Sequence, residues 1–330
     1  MLIVQKFGGT SLADAASREL LVGKVKKARF AGDEVILVVS AMGRKGDPYA
    51  TDTLLDLLNE FPGGADGLTK DLLASSGEII SACVIASLLN SRGIGAQPMT
   101  AYTAGIFAEG PFGDAAPGKI DADRIRAVLD AGFVPVVTGF QGADPAGNIL
   151  TLGRGGSDTS AVAIGAALGA DFVDIYKDVP GVAKADPRLV KDAPFMKFID
   201  YGSMFRLANH GARVLHDKSA LLAKSAGLRI RVRSTFDDGE GTLIGPAGES
   251  PMPDFLGLAS SPVGEDRVRI VAVFNIGQGA GGIAKARETA RAMGFEMTEL
   301  GCSDPDAIAF LCAKSEAAMF AARMFEALEC

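Results

Sequence analysis

Apolar runs that read as buried strands alternate with helix-spaced apolar positions along most of this chain. Residues 2–4 lead through a glycine-rich turn to a helix expected over 13–30, and 35–39 is the next continuous apolar run. A long helix is expected over 71–91, where Ile80, Cys83, Val84 and Leu88 keep a spacing of three to four. Residues 124–130 read as helix, 134–137 as strand despite Pro135, and 172–176 as another buried strand after an alanine-rich helix that starts near Ser157. This β-α-β rhythm predicts an α/β fold, a mostly parallel sheet sandwiched by helices.

Between Gly245 and Asp254, three prolines and two glycines interrupt the rhythm and read as a linker. Beyond it the pattern restarts on a smaller scale: strand 268–274, helix 283–293, strands 295–300 and 307–312, helix 315–328. That order is β-α-β-β-α, a small α+β domain. The expected organisation is a large domain over 1–245, then a linker and small domain over 246–330.

Composition narrows the function classes. The chain has 330 residues, 48% hydrophobic and 22% charged, and its 33 Lys and Arg against 40 Asp and Glu give a formal charge of −7. No basic stripe marks a nucleic-acid surface. The apolar helical stretch 161–170 is too short to cross a bilayer, and no signal-peptide pattern opens the chain. A cytoplasmic protein without nucleic-acid or membrane partners is expected. Cys83, Cys302, Cys312 and Cys330 are scattered, with no C-x-x-C pair, and read as buried free thiols. The two histidines, His210 and His216, are placed for neither a metal site nor a Ser-His-Asp triad. Any chemistry must run without imidazole as base.

Three glycine clusters invite a phosphate. Residues 113–119 satisfy the first seven positions of a Walker A loop, but position eight is Ile120, which has no hydroxyl for Mg²⁺; they read as a surface loop. Residues 277–282 fit G-x-G-x-x-G, yet too little chain follows for a dinucleotide domain, and a tight turn into a helix is expected. The third case is a pair. Lys6, Phe7, Gly8, Gly9, Thr10 and Ser11 follow a buried strand and open a helix, where backbone N–H groups and the helix dipole suit an anion. Gly153, Arg154, Gly155, Gly156, Ser157 and Asp158 repeat the device with an arginine and an acid. Two such loops at the ends of parallel strands imply two anionic ligands meeting there.

If one anion is a nucleotide phosphate tail and the other a carboxylate, the nucleophile is already ionised at neutral pH and needs no general base. What the transfer needs is cations and aimed donors that hold two anions in line. Lys6 and Arg154 supply cations, and Asp158 and Asp178 could carry Mg²⁺. An amino-acid acceptor also needs a planar cation for its α-carboxylate, which suits Arg154. Its ammonium needs an acid, for which Glu78 in an apolar helix is available. Position alone leaves Glu78 equally readable as a first-turn acid favoured by the helix dipole.

Several motifs fall in order: residues 6–11, 38–43, Gly77 with Glu78, 139–142, 153–160, 178–182, 185–188, Gly211 with Ala212, and 232–234. Together they resemble the aspartate kinases of the amino-acid kinase family over residues 1–245, and 39–55 resembles the bacterial enzymes of diaminopimelate and lysine synthesis. The resemblance implies ATP and Mg²⁺ as cofactors and L-aspartate as acceptor. It implies that Lys6 contacts the transferring phosphate with Gly8, Gly9, Thr10 and Ser11. Arg154 would hold the α-carboxylate and Glu78 the ammonium, with Ser40 and Thr51 lining the site. Ser157 and Asp158 would stand at the phosphate and metal junction, and Lys177, Asp178, Arg188 and Arg213 near the nucleotide. Lys177 and Ala183 depart from the usual threonine and aromatic residue. The small domain resembles an ACT unit, the effector-binding module of this family, present once where two are usual. A homodimer through that unit follows, with strands near 268–274 or 307–312 at the contact and inhibition by lysine or threonine weak or missing. A sister kinase acting on another carboxylate, or a non-catalytic amino-acid sensor, stays open beside this reading.

Overall fold

The computed structural model describes residues 1–212, 214–294 and 297–329. The chain divides into two compact units, Met1–Pro180 with Leu222–Glu240, and Gly181–Leu221 with Gly241–Cys330. The second unit takes in a stretch before Gly245 that the sequence pattern assigns to the large domain.

β1 (Leu2–Phe7) passes through a 3-10 turn (Gly9–Ser11) into α1 (Ala15–Phe30), and β2 (Glu34–Val39) follows. α2 (Thr51–Asp56) precedes the long α3 (Gly67–Ser91). Then come β3 (Ala96–Met99), β4 (Ile106–Glu109), β5 (Ala116–Ile120), α4 (Ala122–Asp130) and β6 (Val134–Thr138). β7 (Gln141–Ala143), β8 (Ile149–Thr151), α5 (Gly156–Leu168) and β9 (Phe172–Lys177) continue the first unit. β10 (Phe198–Asp200) and α6 (Tyr201–Asn209) belong to the second unit, and α7 (Asp217–Ala226) leads to β11 (Ile230–Ser234) of the first. The rest is second unit: β12 (Thr242–Gly245), β13 (Phe255–Val263), β14 (Arg267–Phe274), α8 (Gly279–Ala292), β15 (Met297–Leu300), β16 (Ala307–Ala313) and α9 (Ala317–Glu329).

In the first unit β11, β9, β1, β2, β6 and β3 lie side by side in that order, all parallel. β1 is buried along its whole length and β2 everywhere but Glu34; β2 reads as a continuous apolar run from Val35, and β1 as one from Leu2 to Val4 before the buried Gln5 and Lys6. Each fully buried Val, Leu or Ile contributes about 1.5–3 kcal/mol. Leu21, Val22 and Val25 of α1 and Ala82, Ile85, Ala86 and Leu89 of α3 share one core with Leu37, Val39, Val134 and Val136 of the sheet. α5 packs against β1 and β9. Asp14 and Asp66 start α1 and α3 by accepting from Ser17 N and Thr69 N, each at 2.7 Å. Pro135 sits in β6 beside Gln97 of β3, while the pairing with β2 begins one residue later at Val136. Its missing N–H therefore costs little.

A second sheet, in the order β5-β4-β7-β8, closes over a small core of Ala108, Ala115, Leu150 and Leu152. The stretch 113–119, expected as a loop, contains most of β5. α3 is also four residues longer than the pattern implied, beginning at Gly67 rather than at Asp71. Among the described residues it is the helix long and apolar enough to cross a membrane by length and composition, and half of that window is buried. Its outward side exposes Cys83, whereas Cys312 is buried and Cys302 half-buried, so burial holds for one of the described thiols; Cys330 lies outside the described residues.

The second unit holds a parallel pair, β10 with β12, and an antiparallel sheet in the order β13-β14-β16-β15. α8 and α9 cover the latter through Ala286, Phe320 and Met324, packed on Ile270, Phe274 and Phe310. This is the ACT-like form. The sequence pattern does not show β13, because Ser260, Ser261 and Pro262 interrupt its apolar run. With β13 in place, β14 and β16 are inner strands, paired on both sides, and cannot be the open edges expected at 268–274 and 307–312. The edges are β13 and β15.

Candidate active site

The carboxyl ends of β9, β1 and β2, neighbours in the first unit's sheet, open on a cavity of about 780 Å³. Side chains alternate across a strand, so Phe7 and Tyr176 point to one face, where their rings stack at 4.5 Å and 2°. Lys6 and Lys177 then share the other face, which carries α5. Asp158 stands in the first turn of α5, where the helix dipole favours an acid. Its Oδ1 lies 2.6 Å from Lys6 Nζ and its Oδ2 3.2 Å from Lys177 Nζ. Two ammonium groups thus share one carboxylate, leaving surplus positive charge at the base of the cavity. Burial raises the Asp158 pKa, but Lys177 and Lys6 overcome it and hold the group at about 2. Burial also lowers Lys6, against the pull of Asp158.

Two tight passages shape the floor. A Cβ on Gly9 would stand 2.4 Å from Gly43 O and 2.7 Å from Ala41 O, so only glycine lets the turn after β1 run against the loop after β2. Arg154 is exposed at the cavity rim between Gly153 and Gly155, both in left-handed conformation at φ 70 and 72. Phe140, also lining the cavity, has φ 69, a rare conformation for a bulky residue. It is held there by its N–H donating to Ser160 Oγ at 3.0 Å and its carbonyl accepting from Leu152 N at 2.8 Å.

Glu78 is 2% exposed and lies well inside α3, which removes the first-turn reading. One carboxylate oxygen, Oε1, accepts from Ala41 N at 2.9 Å. The other, Oε2, is buried without a hydrogen-bond partner. Burial pushes the carboxyl up to about 8, with Ala41 N–H and Lys6 pulling the other way. A buried acid lacking a donor on one oxygen, beside a cavity, is a place for a cation carrying N–H groups.

Of the sequence-expected residues, Lys6, Gly9, Ser40, Thr51, Glu78, Arg154, Ser157, Asp158 and Lys177 line this one cavity. Gly8, Thr10 and Ser11 are beside it rather than on its wall, and Ser11 Oγ is 2.7 Å from Thr235 Oγ1. Asp178 pairs with Arg44 at 2.6 Å. Arg188 belongs to the second unit, where its guanidinium grips Asp186 at 3.0 and 2.6 Å. Arg213 lies outside the described residues. Sequence reasoning missed Asp71 and Phe112 on the wall and passed over Phe140 inside a motif. The signal for Asp71 was its place with Ala74 and Glu78 on one helix face. Among the described residues no cluster of three His, Cys, Asp or Glu groups could hold a metal ion.

The profile described as the amino acid kinase family matches residues 1–234. Aspartokinase 1 of Bacillus subtilis is 44% identical over 243 residues, 74% of this chain and 60% of that protein. The aspartokinase of Thermus thermophilus is 41% identical over 243 residues, again 74% of this chain and 59% of its own. This chain therefore spans about three fifths of the length of the curated relatives it matches. Among solved structures, an aspartate kinase from Synechocystis superposes with a TM-score of 0.66 at 32% identity, covering 98% of this chain and 54% of that one. E. coli aspartokinase III, solved with aspartate and ADP, superposes over the full length of both chains with a TM-score of 0.83 at 20% identity, a likeness of fold.

Proposed function

The chain belongs to the amino acid kinase family, and on that premise we propose that it moves the γ-phosphoryl group of ATP onto the side-chain carboxylate of L-aspartate, giving 4-phospho-L-aspartate. The bond from the γ-phosphorus to the β-phosphate oxygen breaks, a bond to the aspartate carboxylate oxygen forms, and ADP leaves. The observation that carries this reading is Glu78 Oε2, buried and without a partner on the wall of the cavity that Lys6 and Arg154 also line. An α-amino acid offers what that oxygen lacks, an ammonium group, together with a carboxylate for the Arg154 fork. The curated aspartokinases support the choice of aspartate.

In this reading Lys6 meets the charge that develops on the transferring phosphoryl group, and Asp158 holds it in place through their 2.6 Å contact. Lys177 extends the cationic floor toward the phosphates. Ser40, Thr51, Gly9 and Ser157 complete the wall around donor and acceptor. Mg²⁺ would arrive on the nucleotide phosphates, with Asp158 and Asp178 as nearby carboxylates, and would spread the charge of the phosphate tail. In this reading the metal is brought by its substrate rather than held in a protein cage. The enzyme is read as cytoplasmic, and the ACT-like domain as the contact through which two copies pair. Sedimentation that finds a monomer at micromolar concentration overturns the pairing.

Incubating the chain with ATP, Mg²⁺, aspartate and hydroxylamine should yield aspartyl hydroxamate and ADP in equal amounts. Phosphate transfer to another carboxylate with none to aspartate moves the chain to a sister activity, and no transfer at all makes it a binding protein.

A further inference from the structure

Glu78 is not the one carboxylate that α3 turns toward the cavity. Gly67, Asp71, Ala74 and Glu78 follow one another at spacings of four, three and four and all line the wall, so they share a helix face. Asp71 is 3% exposed and, unlike Glu78, fully engaged. Its Oδ2 accepts from Thr151 N at 2.7 Å and Gly113 N at 3.0 Å, and its Oδ1 from Thr151 Oγ1 at 2.9 Å. Ala115 N also donates to Thr151 O at 3.0 Å, so the end of β8 and the turn at 111–115 are stapled to each other and to α3. Three residues beyond Thr151 stands Arg154. The loop that carries it is packed hard against the same turn, since a Cβ on Gly153 would lie 2.8 Å from Asp114 Oδ1 and 3.1 Å from Gly113 O.

We propose that Asp71 is the positioning residue that sets where Arg154 stands relative to Glu78, and so fixes the span between the groups that read the two ends of an α-amino acid. The proposal rests on the reading of Arg154 and Glu78 as the α-carboxylate and ammonium partners. α3 then works as a ruler. The seven steps from Asp71 to Glu78 advance about 10 Å along the helix axis. One end offers a free carboxylate oxygen to the acceptor directly, and the other spends its carboxylate on the loop that brings the arginine. Among the described residues Asp71 bonds to Thr151 and Gly113 and to neither Lys6 nor Lys177, so its influence belongs to the acceptor and not to the nucleotide.

A double-mutant cycle separates this role from a merely structural one. Asp71→Ala should raise the KM for aspartate about tenfold, with the KM for ATP changed less than twofold. In an Arg154→Ala background, adding Asp71→Ala should change the aspartate KM by less than twofold, because the group that it positions is gone. Thr151→Val, which deletes one of the three bonds, should give a smaller shift of the same kind, and serves if Asp71→Ala does not fold. Additive effects of Asp71 and Arg154, an equal rise in both KM values, or an unchanged aspartate KM overturns the role while leaving the function standing. A wild-type chain that makes no aspartyl hydroxamate overturns the function and this role together.

Discussion

The turn after β1 and the turn after β14 look alike in sequence: each follows a buried strand, runs on glycine and enters a helix. Their glycines answer to different neighbours. At Gly9 a side chain would strike the backbone carbonyls of Gly43 and Ala41, which belong to the next loop of the cavity. At Gly282 it would strike the ring of Phe274, part of the small domain's own core. The entrance to α1 is closed by Asp14, so the helix entrance to set against α8 is that of α5, on the same cavity as Gly9. Asp306 accepts from Gly277 N at 3.0 Å and from Gly279 N at 2.9 Å, so the entrance to α8 is already occupied by an internal anion. In the first unit α5 opens on Gly155, which has no side chain to cap it, and its first turn faces the cavity through Gly156, Ser157 and Asp158. On the proposed reading, a glycine turn becomes a binding feature where no side chain caps its N–H groups, as at Gly155.

Four measurements would break or sharpen that contrast. The largest effect is expected for Lys6→Ala, which removes the buried cation that the proposed reading sets against the transferring phosphoryl group. Turnover should fall about 10²–10³-fold with the KM for aspartate nearly unchanged; an unchanged turnover would move the reacting centre elsewhere. Gly9→Ala should cost about 3 kcal/mol in a denaturant titration, at the upper end for forced overpacking. Full stability in that variant would show that the loop after β2 can withdraw.

The third measurement is a pH series. The folded chain holds Glu78 at about 8, above its ordinary value of 4.5, so the folded state binds more protons than the unfolded one between these pH values. Stability of the ligand-free chain should therefore fall as pH rises from about 4.5 to 8. Aspartate, whose ammonium needs the ionised acid, should bind about tenfold tighter at pH 9 than at pH 7 after correction for its own titration. Glu78→Gln should flatten both trends. The smallest effect belongs to the other turn. Gly281 has open space where a Cβ would go, and Gly281→Ala should stabilise α8 by about 0.5–1 kcal/mol without altering turnover.

Much of this was legible in the chain. The strands β1, β2, β6 and β9 announce themselves as apolar runs, and the charged groups that line the cavity as short glycine motifs. What escaped depends on partners distant in sequence. Asp71 gains its role from Thr151, with which it shares neither motif nor period. The strain at Phe140 is visible only once Ser160 and Leu152 hold its backbone. The strands β3, β4, β7 and β8 are too short for alternation to stand out, β5 is broken by Pro117 and Gly118, and β13 carries two serines and a proline toward its end. Arg188 stands in an intact motif, yet its bond to Asp186, two residues away, could not be told from the sequence.

One outward feature of α3 has practical value. Cys83 is exposed on the same helix that turns Glu78 and Asp71 inward, while Cys312 is buried and its thiol is raised by that burial and by Glu316. A maleimide fluorophore or nitroxide attached at Cys83 would ride on the back of the ruler, away from the reacting groups. Its anisotropy or spectral width could then be followed as aspartate and ATP are added, giving a reporter of helix α3 in the native sequence.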